Sequence, residues 1–168
     1  MLCYIQGMLR DYQLVPEAVV RPGSFVGLMT LYESNYLRLL QLVPEIHRLD
    51  GCYRSTVAGD CNLYLEIQER SRYTVTMSLS YMFMEDGVRV ADPDMKVRMY
   101  LDGHLAEAMR CSGEHRHAEL RRLKRAHRKE LDARWRRNIL LNKWLEYCSD
   151  KGHRFVVRES DPVQASIS

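Results

Sequence analysis

Three groups of residues in this sequence have types and spacings that could do chemistry, and each has an ordinary alternative. The first is Cys111, Glu114, His115 and His117. Thiolate and imidazole are zinc ligands, but a structural zinc site needs four donors closed around the ion. Two histidines at i and i+2 share a face on a strand and not on a helix, and no second cluster completes the set. The spacing therefore predicts a solvated loop and no metal site. The second group is Tyr36 and Arg38 with Tyr73, Arg98, Tyr100 and Glu107. A guanidinium in a tyrosine-lined groove can clamp a carboxylate or phosphate. The plainer reading is a cross-strand Arg98–Glu107 pair worth ~0.2–1 kcal/mol, among tyrosines that simply pack on a half-buried sheet. The third group is a basic run: Arg121, Arg122, Lys124, Arg125, Arg128, Lys129, then Arg134, Arg136 and Arg137. If helical, its first members share a face at i, i+3, i+4 spacing, and Trp135 adds a stacking surface. That is the pattern of a phosphate-tracking stripe. The alternative is a solvated face partly offset by Glu119, Glu130 and Asp132.

The local charge is larger than the global one. The chain has 25 Lys and Arg against 22 Asp and Glu, a net of +3. From Arg110 to Arg137 there are eleven Lys and Arg against four Asp and Glu, so that span carries +7 and the rest sums to −4. A basic block on a mildly acidic protein is a candidate anion-binding surface. Bond-breaking machinery is not legible. There is no Gly-x-Ser-x-Gly, no glycine-rich phosphate loop and no carboxylate pair. Cys148 falls on an apolar stripe and reads as inert core. Asp102 and His104 flank a turn. No catalytic residue and no cofactor is predicted.

The elements that must position these residues follow from periodicity. With 168 residues, 46% hydrophobic and 28% charged, the chain is neither fibrous nor wholly disordered. Nothing approaches the ~18 consecutive apolar residues of a membrane span. The five cysteines are odd in number, scattered and without C-x-x-C, which fits reduced thiols in a cytoplasmic protein. Arg10 and Asp11 interrupt the N-terminal apolar run, so no signal peptide is expected. Arg21-Pro22-Gly23-Ser24 is turn chemistry, and residues 1–26 are read as an extension. A helix is predicted over Leu28 to Val43, stopped by Pro44. Period two then predicts strands at Cys52 to Val57, Asn62 to Glu69 and Tyr73 to Met82. Met84 to Asp94, with breakers Asp86-Gly87 and Asp92-Pro93, is expected to be a loop. Met95 to Arg110 reads as a hairpin around Asp102-Gly103, with a two-residue turn that sets Arg98 opposite Glu107. In that register Val97 and Met99 face Ala106 and Ala108. Arg110 to Glu130 is helix-permissive but poor in apolar positions. Ile139, Leu140, Leu141, Trp144, Leu145 and Cys148 form the stripe of a last helix capped near Gly152. Phe155-Val156-Val157 is expected to add a short strand, and residues 158–168 form a polar tail. The result is a single α+β domain over 27–157, an antiparallel sheet of about five strands covered by an N-terminal and a C-terminal helix.

Several phrases in this framework resemble a known family. They are Leu31-Tyr32-Glu33-Ser34-Asn35-Tyr36-Leu37-Arg38-Leu39, Arg72-Tyr73-Thr74, Val97 through Glu107, Asn138 through Cys148, and Gly152-His153. Their order and spacing are similar to the YqiB-like bacterial family (domain of unknown function 1249) over about Gly27 to Phe155. The resemblance implies a small cytosolic protein with no established activity. It also implies genes beside those for an ADP-ribose pyrophosphatase and a cyclic AMP phosphodiesterase, hence a link to nucleotide metabolism or signalling. Family members carry an aromatic, proline-containing stretch between hairpin and last helix, where this chain is arginine-rich and proline-free.

Together the residues predict a non-enzymatic binding or regulatory protein. Its partner is anionic, a nucleotide messenger, an RNA or an acidic protein, met through Arg121, Arg122, Lys124, Arg125, Arg128, Lys129, Arg134 and Arg137. Two other classes stay open: a protein–protein adaptor using a sheet edge or apolar helix face, and a small enzyme on a nucleotide-like substrate with Arg98, Glu107 and nearby tyrosines in a pocket.

Overall fold

The computed structural model describes residues 24–112 and 133–156. Helix α1 (Phe25–Leu42) opens on Ser24, whose Oγ accepts the Gly27 N–H at 3.1 Å. A serine in this place satisfies an amide the first turn leaves unpaired. Leu28, Tyr32, Tyr36, Leu39 and Leu42 are buried along one stripe. Past Pro44 the chain makes a single 3-10 turn, Ile46–Arg48, and enters the sheet.

The sheet is an antiparallel meander of β1 (Cys52–Ser55), β2 (Leu63–Arg70), β3 (Thr74–Glu85), β4 (Val88–Tyr100) and β5 (Leu105–Ser112), in spatial order of sequence. Helix α2 (Ala133–Asp150) returns beside α1, and both helices pack against β5 on the sheet's apolar face. The strands alternate as a half-buried antiparallel sheet must. Leu63, Leu65, Val75, Met77, Leu79, Met95, Val97 and Met99 turn inward onto Leu39, Leu42, Leu141, Trp144 and Leu145. Each such side chain contributes ~1.5–3 kcal/mol of burial before entropy is charged against it.

Four expectations are corrected. Met84 to Asp94 is not a loop: β3 and β4 continue through it as a hairpin in which Glu85 pairs with Val88. Asp86 (φ 49°) and Gly87 (φ 79°) form its two-residue turn, both in the left-handed region that such turns demand. The turn at Asp102-Gly103 is longer than expected. Tyr100 pairs with Leu105, leaving four residues in the loop, with His104 at φ 52°. The register is nevertheless the predicted one, with Arg98 opposite Glu107, Val97 opposite Ala108 and Met99 opposite Ala106. The first strand stops at Ser55. Phe155 and Val156 form no strand; they lie in an irregular segment where the Phe155 N–H donates to the Leu42 carbonyl at 2.8 Å.

Candidate functional site

The predicted cationic surface falls partly within the structure. Arg121, Arg122, Lys124, Arg125, Arg128 and Lys129 lie outside the described residues, as do Glu114, His115 and His117. Arg134 and Arg136 are exposed on the first turn of α2, and neither pairs with a carboxylate among the described residues. Arg137 is half-buried and donates its Nε–H to the Ala108 carbonyl at 3.3 Å.

That turn of helix is fixed by an amide ladder. Asn138 is fully buried, and its Oδ1 accepts from the Ala108 N–H (2.8 Å) and from Asn35 Nδ2 (3.2 Å). Asn138 Nδ2 donates back to the Arg134 carbonyl at 3.0 Å. One turn later Asn142 Nδ2 donates to Asn35 Oδ1 (3.0 Å) and Ser34 Oγ (2.8 Å). Asn35 Nδ2 also reaches the Ala106 carbonyl at 3.3 Å. Buried amides are tolerated because every strong donor and acceptor finds a partner. The ladder sets the pitch at which Arg134 and Arg136 face water.

The predicted groove is brought together only in part. On the open face of the sheet Glu107 Oε1 accepts from Tyr100 OH at 2.7 Å and Oε2 from Tyr32 OH at 3.1 Å. Arg98 stands beside them, yet its Nε–H goes to Thr76 Oγ1 (3.1 Å) and its ion pair is with Glu69 (3.6 Å), not Glu107. Burial and the Glu107 charge push the Tyr32 phenol up to about 12. The Glu107 hydrogen bond and burial raise Tyr100, against the pull of Arg98. The other members lie elsewhere. Arg38 pairs with Glu146 on α2 at 3.1 Å. Tyr36 packs on His104, ring centres 5.2 Å apart, and Tyr73 is exposed under Arg72. Tyr32 is the member that the sequence reading missed; its place on the apolar stripe disguised a hydroxyl reaching the sheet edge.

A second cluster was missed entirely. His153 Nδ1 lies 3.0 Å from Ser55 Oγ and Nε2 lies 3.3 Å from Asp60 Oδ2, with the His side chain 0% and the Asp side chain 4% exposed. Asp60 also accepts from Tyr81 OH (2.8 Å) and Tyr147 OH (3.3 Å). Tyr81 OH lies 3.5 Å from Cys148 Sγ. Burial pushes the Cys148 thiol up to about 12 and raises both phenols well above their usual range. These are the residue types of acyl transfer, but the arrangement is not one that reacts. Ser55 is buried and its Oγ is occupied by the Arg154 N–H at 3.2 Å. A nucleophile has to reach substrate and sit beside donors for the developing oxyanion. The residues are joined across nearly a hundred positions of chain, and no local motif announces them.

Residues 38–154 match the family described as "Protein of unknown function (DUF1249)". The chain belongs to that family. No curated protein and no solved structure matches it. The DUF1249 span takes in all five strands, α2 and the whole Asp60–His153 cluster, and leaves Tyr32, Asn35 and Tyr36 outside. In this DUF1249 protein both polar clusters turn their donors and acceptors on one another. Arg134 and Arg136, at the start of α2, have no carboxylate partner among the described residues.

Proposed function

We propose that this DUF1249 protein is a cytosolic, non-enzymatic binding or regulatory protein that recognises an anionic partner. The supporting observation is the pair Arg134 and Arg136. They are exposed, without a carboxylate partner among the described residues, and stand at the end of a span carrying +7 in the sequence. Arg137 is half given over to the Ala108 carbonyl and contributes less. Among the described residues, an incoming phosphate or carboxylate has no carboxylate to displace from either guanidinium. Cys52, Cys61 and Cys148 are free thiols, in keeping with a reducing compartment. Among the described residues no helix is long and apolar enough to cross a membrane.

The test is fluorescence anisotropy against single-stranded RNA, a cyclic nucleotide and an acidic peptide over a salt series. Salt-sensitive binding to at least one is expected. For RNA, Arg134→Ala with Arg136→Ala should lower the salt slope by roughly 0.7 for each phosphate contact removed. Neutralising Arg121, Arg122, Arg125 and Arg128 together should remove most of the affinity. Absence of salt-sensitive binding to all three probes refutes the reading. The adaptor reading has one observation of its own: Met84 and Val88, 68% and 63% exposed, project from the β3–β4 hairpin. Co-purification of one partner protein, unchanged by nuclease, would favour it.

A further inference from the structure

The end of α2 is built to drive one side chain inward. Gly152, at φ 89°, donates its N–H to the Ser149 carbonyl (2.9 Å), and His153 donates its N–H to the Cys148 carbonyl (3.0 Å). This is the double closure that a left-handed glycine permits after a helix, and it packs the next residue beneath the last turn. That residue is His153, and its ring closes a continuous chain of donors. The Arg154 N–H donates to Ser55 Oγ, the Ser55 hydroxyl to His153 Nδ1, and His153 Nε2–H to Asp60 Oδ2. Only the neutral imidazole with its proton on Nε2 satisfies every member. Two residues on, Phe155 is buried in the core and tied to Leu42. Residues 153–156 thus hold together the ends of α1, β1 and α2 and the loop before β2. They do so without belonging to a helix or strand.

We infer that His153 is an acid-opened clasp, and that protonating its imidazole releases residues 153–156 from the body of the domain. A proton on Nδ1 has to be donated to Ser55 Oγ, which already takes the Arg154 N–H, and the Ser55 hydroxyl then loses its acceptor. The groups facing the ring are Ser55 on β1, Asp60 on the β1–β2 loop and Tyr81 on β3; behind them, on α2, Tyr147 reaches Asp60 and Cys148 reaches Tyr81. With the thiol and both phenols held protonated, Asp60 is the one anion among them, and it is already shared with Tyr81 and Tyr147. Burial outweighs the hydrogen bond and charge of Asp60 and holds His153 below its ordinary 6.5. The released ring takes a proton at the ordinary value. The closed clasp is therefore fully favoured above that pH and loses its advantage as pH falls below it. Among the described residues, opening involves one imidazole ring, one phenyl group and three backbone N–H bonds, those of His153, Arg154 and Phe155, and is therefore local.

Cys148 reports the opening, since it is 0% exposed beneath the turn while Cys52 is exposed. The full chain is labelled with an aromatic disulfide that reacts at acid pH, and each site is quantified by mass spectrometry. Dividing Cys148 labelling by Cys52 labelling cancels the reagent's own pH dependence. From about pH 7.5 to about pH 5.5 the ratio should rise roughly threefold or more. In His153→Gln, which keeps an amide donor toward Asp60 but does not titrate, the rise should vanish. Should that variant fail to fold, NMR of the wild type decides: the His153 ring titration and the Phe155 ring shifts must share one midpoint. A flat ratio in the wild type, an equal rise in His153→Gln, or a ring titration that leaves Phe155 unmoved overturns the clasp.

Discussion

Asn138→Ala should be among the most costly single changes outside the apolar core, and the reason is a backbone amide. Asn138 Oδ1 is the partner of the Ala108 N–H on β5 and also of Asn35 Nδ2. Truncation strands the amide in a buried seam, at about 1–3 kcal/mol, and removes the bond from Asn35 Nδ2, worth about 1 kcal/mol; the bond to the Arg134 carbonyl, a helix group with its own backbone partner, adds little. The better helix propensity of alanine returns about 0.5 kcal/mol. A net loss of about 2–3 kcal/mol is expected, against a typical total of about 5–15 kcal/mol. For a chain of this size that is a fall in Tm of about 5–10 °C. The companion Asn142→Ala removes bonds to Asn35 and Ser34 but strands no backbone group, so with the same propensity return it should cost about 1.5 kcal/mol. Urea denaturation followed by circular dichroism measures both, with an unchanged m-value showing that stability alone has moved. Equal losses in the two variants, or less than about 1 kcal/mol for Asn138→Ala, would mean that the β5 amide finds another partner and the reasoning is wrong.

Two smaller predictions follow from the same geometry. Gly152→Ala puts a side chain at φ 89° and should cost about 1–2 kcal/mol, with Cys148 becoming more readily labelled at neutral pH. Glu146 is raised by burial, but the hydrogen bond from Lys143 and the charge of Arg38 outweigh this and hold it low. Its pairing therefore stabilises above the ordinary carboxylate pKa and is lost as pH falls through the lowered folded value. Glu146→Gln should cost under about 1 kcal/mol at neutral pH by chemical denaturation, and the difference from wild type should close in acid.

The sheet was legible where one face is wet and one dry. Leu63, Leu65 and Ile67, then Val75, Met77, Leu79 and Tyr81, alternate because each strand has two environments, and the helical stripes were visible for the same reason. The β4–β5 register could be read because centring the hairpin on Asp102-Gly103 set opposite charges and small residues across from one another, and lengthening the loop by one residue on each side leaves that frame unchanged. The β3–β4 extension was hidden by residues that usually interrupt strands. Asp86-Gly87 is a two-residue hairpin turn, not a breaker. Asp92-Pro93 sits at the bulge between the Ser80–Asp94 and Met82–Ala91 pairs, where a missing amide donor is tolerated. Of the site, Tyr100 and Glu107 could be placed together because they share a hairpin. Tyr36 and Arg38 could not be separated without knowing that α2 would offer Glu146 to one of them and the hairpin loop would offer His104 to the other. The Ser55–His153–Asp60 contact joins the first strand to the end of the last helix, and periodicity carries no information over that distance.

The outer side of β5 has a consequence for how this protein behaves in a crowd. A terminal strand ordinarily offers a row of bare amides and carbonyls on which a foreign strand can crystallise. Here the Ala106 carbonyl and both backbone groups of Ala108 are already taken by Asn35, Asn138 and Arg137. A strand seeking to lengthen the sheet at that point would have to displace two helices first. Along Ala106–Ala108 the domain therefore gives no template for fibrous growth, however concentrated the protein becomes.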